Sequence, residues 1–281
     1  MAKADRPTSR PSSPKLNDLT AKEWVKATRS WFTCDGRPGD VTPEVEMHPA
    51  SYPPEVPERF ICFFTHPGDV VLDPFVGSGG TLIACLRTGR RGIGVEVTEK
   101  YATSARERLR REQPPLDGAC EQRVLCADAA ELRSLDLGPV DYLLTSPPYW
   151  DMLRHSRGHA ASAHKQRAAE GLDCVYSDDD RDLGNLADYG TYLDRLVSIF
   201  EQTAELLKPG RYATVIVQNI RTADGDMTPL AWDLAARLRQ FLRLKQETIW
   251  CQDKKRLACW GYPTTFVSNV HHHYCLHFRK P

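Results

Sequence analysis

No stretch of this chain of 281 residues stays apolar for long enough to cross a bilayer. The N-terminus, MAKADRPTSRPSSPK, lacks the apolar core of a secretory signal, so the sequence predicts a soluble cytoplasmic protein. No Cys-x-x-Cys pair occurs among the nine cysteines. Their odd number and their places inside apolar runs such as FICFF argue for buried reduced thiols, not a disulfide framework. There is no internal repeat to suggest a solenoid. There is also no net charge, since 37 basic residues balance 37 acidic ones. A nucleic-acid ligand would therefore require the basic residues to gather on one face.

What is present suits one large α/β domain: 41% of residues are hydrophobic, and strand-like runs alternate with helical ones. Residues 1–16, rich in Pro, Ser, Lys and Arg, read as a disordered tail, and 17–281 as a single domain. The patterns predict a helix over 19–32 with Trp24, Val25 and Trp31 among its apolar positions, then a helix at ERFICFF. Short buried strands follow at 70–73, 92–96, 123–128 and 140–146, separated by helices at TLIACLRTG and 100–111. Residues 151–186 are polar and irregular. A long helix over 189–207 ending at KPG, a strand at TVIVQN, a helix over 229–241 and two closing strands, LKQETIW and HHHYCLHF, complete the chain. This alternation implies a doubly wound, mostly parallel sheet of the Rossmann-like kind. The final two strands, with no helix between them, predict an antiparallel edge strand.

Two constellations carry chemistry. Asp73-Pro74-Phe75-Val76-Gly77-Ser78-Gly79-Gly80-Thr81 follows a strand and opens a helix, where doubly wound sheets bind ligands. Leu82 occupies the third glycine position of the dinucleotide fingerprint, which weakens a nicotinamide reading. Glu96 ends the second of these strands, where a carboxylate can accept from both hydroxyls of a ribose. Asp128 ends the third and could accept from an adenine amine, or simply cap the next helix. Asp73 ends the first, near where an ammonium group could sit. Ribose, adenine and a positive charge together describe S-adenosylmethionine, whereas a polyphosphate would be repelled.

The second constellation is Thr145-Ser146-Pro147-Pro148-Tyr149-Trp150, at the end of the fourth strand. Two prolines stiffen the backbone and remove two donors, leaving carbonyl and hydroxyl acceptors beside two aromatic rings. Such a site suits a planar amine. Acceptors hold its protons and offset the positive charge that develops on nitrogen during methyl transfer, while a ring stacks on its face. In a duplex the amine is reachable only if the base is flipped out, and Tyr149 is a platform for it.

DPFVGSGGT and TSPPYW together resemble the cofactor and catalytic motifs of the DNA amino-methyltransferases. His48-Pro49-Ala50-Ser51-Tyr52-Pro53, LLKPGRYATVIVQN and HHHYCLHFRK are also similar to family sequence, so the resemblance spans roughly residues 20–281. One departure is Gly80, which stands where the family usually has Thr. The resemblance implies a class I S-adenosylmethionine-dependent methyltransferase. It places the cofactor against His48, Tyr52, Asp73, Phe75, Gly77, Ser78, Gly79, Thr81, Glu96, Asp128 and Thr145, and the target amine against Ser146, Pro147, Pro148 and Tyr149. The serine form of the catalytic motif is associated with N4 of cytosine. Adenine N6 and an RNA base amine remain the alternatives. The Pro-Cys dipeptide that carbon-5 cytosine enzymes need is absent.

The implied partner is double-stranded DNA, within or outside a restriction–modification pair, acted on by a monomer or homodimer associated with the nucleoid. Candidate DNA contacts are Arg154, Arg157 and Lys165 in one loop and Lys254, Lys255, Arg256 and Trp260 in another, at 252–263. His271, His272 and His273 are not expected to bind a metal, because side chains alternate faces along a strand. Asp178-Asp179-Asp180 reads as a solvated turn.

Overall fold

The computed structural model describes residues 15–35, 52–112, 120–150, 179, 181–222, 225–255, 257, 259 and 262–281. Lys15 and Leu16, expected in the tail, are tied down instead. The Lys15 carbonyl bonds His66 Nε2 at 3.0 Å, and Leu16 packs against the core.

The elements run α1 (Ala21–Ala27), β1 (Trp31–Thr33), α2 (Glu55–Phe64), β2 (Val70–Asp73), α3 (Gly80–Arg87), β3 (Arg91–Glu96), α4 (Glu99–Arg111), β4 (Gln122–Cys126) and β5 (Val140–Thr145). Then come α5 (Tyr189–Leu206), β6 (Leu207–Val217), a small hairpin of β7 (Ile220–Arg221) and β8 (Met227–Thr228), α6 (Leu230–Leu238), β9 (Arg243–Cys251) and β10 (His272–Arg279). Eight strands form one sheet in the order β1-β9-β10-β6-β5-β2-β3-β4. From β4 to β6 every pairing is parallel. This is the mostly parallel, doubly wound α/β sheet that the alternation predicts.

The antiparallel strand lies further in than expected. β10 inserts between β6 and β9, antiparallel to both, and the edge is held by β1, parallel to β9. A hairpin-like return from β9 can leave its second strand on either side, and here the side toward β6 buries Cys275, Leu276 and Phe278.

Side chains alternate between two cores, as the pleat requires. On β5, Tyr142 and Leu144 join Phe60, Ile61 and Phe64 of α2, while Leu143 faces Tyr192, Leu196 and Phe200 of α5. The first helix is shorter than predicted. Thr20 and Glu23 form a reciprocal capping box, but α1 stops at Ala27 and buries no residue. Trp24 and Trp31 remain 39% and 50% exposed, so their spacing does not mark a core face.

β3 carries glycine where two layers meet. A Cβ on Gly94 would lie 2.7–2.9 Å from three atoms of Val76, in the turn after β2. Only a bare backbone lets that turn sit down on the sheet.

Candidate active site

The strand order reverses between β2 and β5, which lie side by side with β3 beyond one and β6 beyond the other. Crevices at such a point, off the carboxyl ends of the strands, are where these sheets bind ligands. Both predicted motifs end there. They border one cavity of about 630 Å³, in the range of small-molecule sites.

Asp73 ties the two motifs together from behind the cavity. Fully buried, its Oδ1 accepts from the Phe75 amide at 3.0 Å and the Thr145 hydroxyl at 2.6 Å. Its Oδ2 accepts from the Thr81 hydroxyl at 2.5 Å and the Tyr52 hydroxyl at 3.4 Å. Burial pushes the Asp73 carboxyl up to about 6, against the pull of these donors. With both oxygens engaged, Asp73 joins β2 to β5 and orients the loop between. Thr81, Gly79 and Thr145 likewise stand behind the cavity wall, not on it.

The loop itself turns on two left-handed glycines, Gly77 at φ 51° and Gly79 at φ 88°. The buried Arg108 of α4 donates to the Ser78 carbonyl beneath it. Glu96, at the end of β3, accepts from the Gly77 amide and the Thr98 amide, each at 3.0 Å and each on a different oxygen. The Thr98 side chain bonds the same carboxylate, which leaves room for one further donor beside these three. Burial raises this carboxyl to about 7. Asp128 uses Oδ1 to cap the turn after it, bonding the Ala130 amide at 2.8 Å. Its Oδ2 has no hydrogen bond among the described residues. Tyr52 lies over Gly80, where an added Cβ would already touch its ring at 3.4 Å.

At the other end of the cavity stand Ser146, Pro147, Pro148 and Tyr149. The Pro148 carbonyl already accepts from the Tyr192 hydroxyl at 2.8 Å, and Trp150 Nε1 donates to the Leu186 carbonyl at 3.0 Å. These bonds set the loop. The Ser146 hydroxyl and the Pro147 carbonyl remain as acceptors. Tyr149 is buried, which pushes its phenol up, and its hydroxyl is hydrogen-bonded with the Ser146 side chain.

The structure thus gathers Tyr52, Phe75, Gly77, Ser78, Glu96 and Asp128 with the catalytic-type loop around one space. Lys254 and Lys255 border it as well, and Lys254 pairs with Asp35 at 3.7 Å. His48, Arg154, Arg157, Lys165, Arg256 and Trp260 lie outside the described residues. Sequence reasoning missed Tyr101, Asp182 and Leu183 on the cofactor-loop side, and Gln218, Trp250, Gln252 and His273 on the other. Only His273, inside the histidine run, and Gln252, at the start of the 252–263 loop, had a signal.

A family model described as DNA methylase, covering the N6 and N4 amino-methyltransferases, matches residues 4–107. That span holds the glycine loop and Glu96 and ends before Asp128. The chain resembles the DNA amino-methyltransferases. The amino-methyltransferase likeness extends to individual proteins. The type II methyltransferase M2.DpnII of Streptococcus pneumoniae is 44% identical over 78 residues, 26% of this chain and 29% of that protein. The DNA adenine methyltransferase YhdJ of Escherichia coli K12 is 39% identical over 66 residues, 24% of this chain and 22% of that protein. The chain thus aligns with under a third of the length of these amino-methyltransferase relatives. A methyltransferase structure from Pyrococcus furiosus overlays with a TM-score of 0.49 at 16% identity, covering 84% of this chain and 88% of the other.

Proposed function

We propose that this chain is a DNA methyltransferase that moves the methyl group of S-adenosylmethionine to the exocyclic N4 amine of cytosine, with the base flipped out of the duplex. The observation that carries the reading is the meeting of Glu96 and Asp128 with Ser146 and Pro147 on one cavity at the reversal of strand order.

The residues present fit the cofactor. The remaining acceptor capacity of Glu96 suits a ribose hydroxyl, Asp128 Oδ2 suits an adenine amine, and the bare backbone at Gly77 and Gly80 lets a ligand lie close. Tyr52, held by Thr81 at 2.7 Å, closes the side toward the methionine part. When bound, the cofactor supplies an electrophilic methyl on sulfonium.

The protein's part is to position and to place charge. Ser146 Oγ and the Pro147 carbonyl accept the two N–H bonds of the amine. That holds the nitrogen lone pair away from the base ring and toward the cofactor side of the cavity. The same two acceptors stabilise the charge that nitrogen gains. Tyr149 and the prolines keep water from the reacting face. Lys254 and Lys255, with the basic residues of the 151–170 and 252–263 loops, would hold the phosphates.

Adenine N6 is the second reading, favoured by the likeness to an adenine methyltransferase. Incubation with labelled cofactor and mixed-sequence duplex DNA, then digestion to nucleosides, decides between them. N4-methylcytosine is expected. N6-methyladenine would overturn the base and keep the site, and no label in DNA with label in a parallel incubation with RNA would overturn the substrate.

A further inference from the structure

Two polar atoms bordering the cavity are buried and lack a hydrogen-bond partner among the described residues: Nδ1 of His273 and Oε1 of Gln252. Buried polar atoms are nearly always paired, so an unpaired one at a cavity wall marks a place for a ligand atom. Here there are two, one on β10 and one just past the end of the neighbouring β9, bordering the same cavity as Ser146 and Tyr149.

Their supports are rigid. His273 on β10 stands directly opposite Trp250 on β9 in the antiparallel register. The two rings stack at 4.6 Å and 22°. Trp250 is itself fixed by its Nε1 bond to the Cys34 carbonyl at 2.9 Å. Gln252 follows the end of β9, and its amide donates to the His271 carbonyl at 2.7 Å. Tyr149 faces His273 at 6.5 Å. A base sandwiched between them would need about 7 Å, two contacts of about 3.5 Å each. His273 is therefore placed to meet the edge of a base, not its face.

We propose that His273 and Gln252 form the polar edge of the target-base pocket, and that Gln252 gives the site its preference for cytosine. This rests on the methyltransferase reading above. Beyond its exocyclic amine, the pairing edge of cytosine offers two acceptors, N3 and the O2 carbonyl. That of adenine offers one, N1, followed by a C–H. A neutral imidazole donates from one nitrogen, so His273 N–H serves N3 or N1 alike. Burial, then the nearby Lys255 and His272, push the His273 imidazole down to about 3, which keeps it neutral and makes it a positioning group, not a proton acceptor. The Gln252 carboxamide, turned by half a turn, presents NH₂ in place of Oε1 and is satisfied by O2. Adenine leaves it unpaired, and sites built to pair a polar group reject analogues that lack its partner.

The test uses the full chain, labelled S-adenosylmethionine and mixed-sequence duplex DNA, with cofactor binding measured separately by calorimetry. His273→Phe keeps the stack on Trp250 and removes the donor. It should bind cofactor as the wild type does and lose about tenfold or more in kcat/KM for DNA. His273→Asn keeps an amide donor near the Nδ1 position and should recover part of that loss, which a purely structural role would not produce. Gln252→Leu, at a partly exposed strand end, should raise the ratio of N6-methyladenine to N4-methylcytosine about tenfold or more. A wild type that labels cytosine, with both His273→Phe and Gln252→Leu unchanged in rate and base ratio, overturns this assignment alone. A wild type that labels only adenine overturns the role given to Gln252. A wild type that labels no DNA nucleoside overturns the activity and this assignment with it.

Discussion

Asp73 and Glu96 are both buried carboxylates at strand ends, yet their surroundings give them different work. Asp73 has every oxygen engaged within the protein. Asp73→Ala would leave the Thr81 and Thr145 hydroxyls without their acceptor and should cost about 3 kcal/mol in stability, read by thermal or urea unfolding. It should also weaken cofactor binding and transfer together, because it joins β2 to β5. Ser146→Ala should separate them: transfer should fall about a hundredfold in single-turnover assays while cofactor affinity persists. Tyr149→Phe is the informative change at that ring, since truncation to Ala would remove a core side chain at about 3–5 kcal/mol. Glu96 has a lone pair to offer, and its raised carboxyl makes that offer depend on pH. In the free protein it binds a proton between its ordinary value of 4.5 and about 7, a range in which the unfolded chain has already lost it. Its contribution to folding is therefore present below 4.5 and lost as pH rises through about 7. A ribose hydroxyl needs the carboxylate, so cofactor affinity should rise with pH up to about 7 and then level off. Calorimetric titration of wild type and Glu96→Gln should show the slope in the first and a flat, weaker profile in the second. The placement of these acids at the ends of buried strands is legible in the sequence, because the strands and the glycine turn are. That Asp73 faces Thr145, 72 residues away, is not legible, since only the adjacency of β2 and β5 brings them together.

At the level of elements, the strands and helices of the parallel half follow their hydrophobic periods closely, and the misreadings have local causes. The long helix ends where KPG predicts, at Leu206, but KPG itself belongs to a stretch of strand the sequence did not mark. β6 starts at Leu207, paired with Val140, and then bulges through Pro209 and Gly210 before resuming at Tyr212 opposite Tyr142. Proline and glycine are what a bulge uses, and the same residues read equally well as a turn. β1 has three residues and pairs only because β9 lies beside it, which no window of sequence reveals. The glycines of β3 are the clearest case of an element shaped by its neighbour. Gly94→Ala would push its methyl into Val76 and lift the cofactor turn. It should cost about 1–3 kcal/mol in stability and weaken cofactor binding. Adding Val76→Ala should restore much of both, measured by unfolding and by calorimetry on the single and double variants.

For the molecule as a whole, zero net charge means that DNA affinity cannot come from a general attraction. On the proposed function, Lys254 and Lys255 at the cavity are the cations placed to supply it. Replacing Lys254 and Lys255 with Ala should reduce the slope of log affinity against log salt by about two units if both meet phosphates. An unchanged slope would place the duplex elsewhere. The antiparallel insertion of β10 has a wider consequence. The cofactor half is built from β2, β3, β4 and their helices, and every wall His273, Trp250 and Gln252 supply comes from one contiguous piece at the other side of the sheet, β9 through β10. Such a piece is an interchangeable cassette. If the proposed base pocket holds, selection can rework this part of its wall by rewriting one stretch of gene, without touching the glycine loop, Glu96 or Asp128.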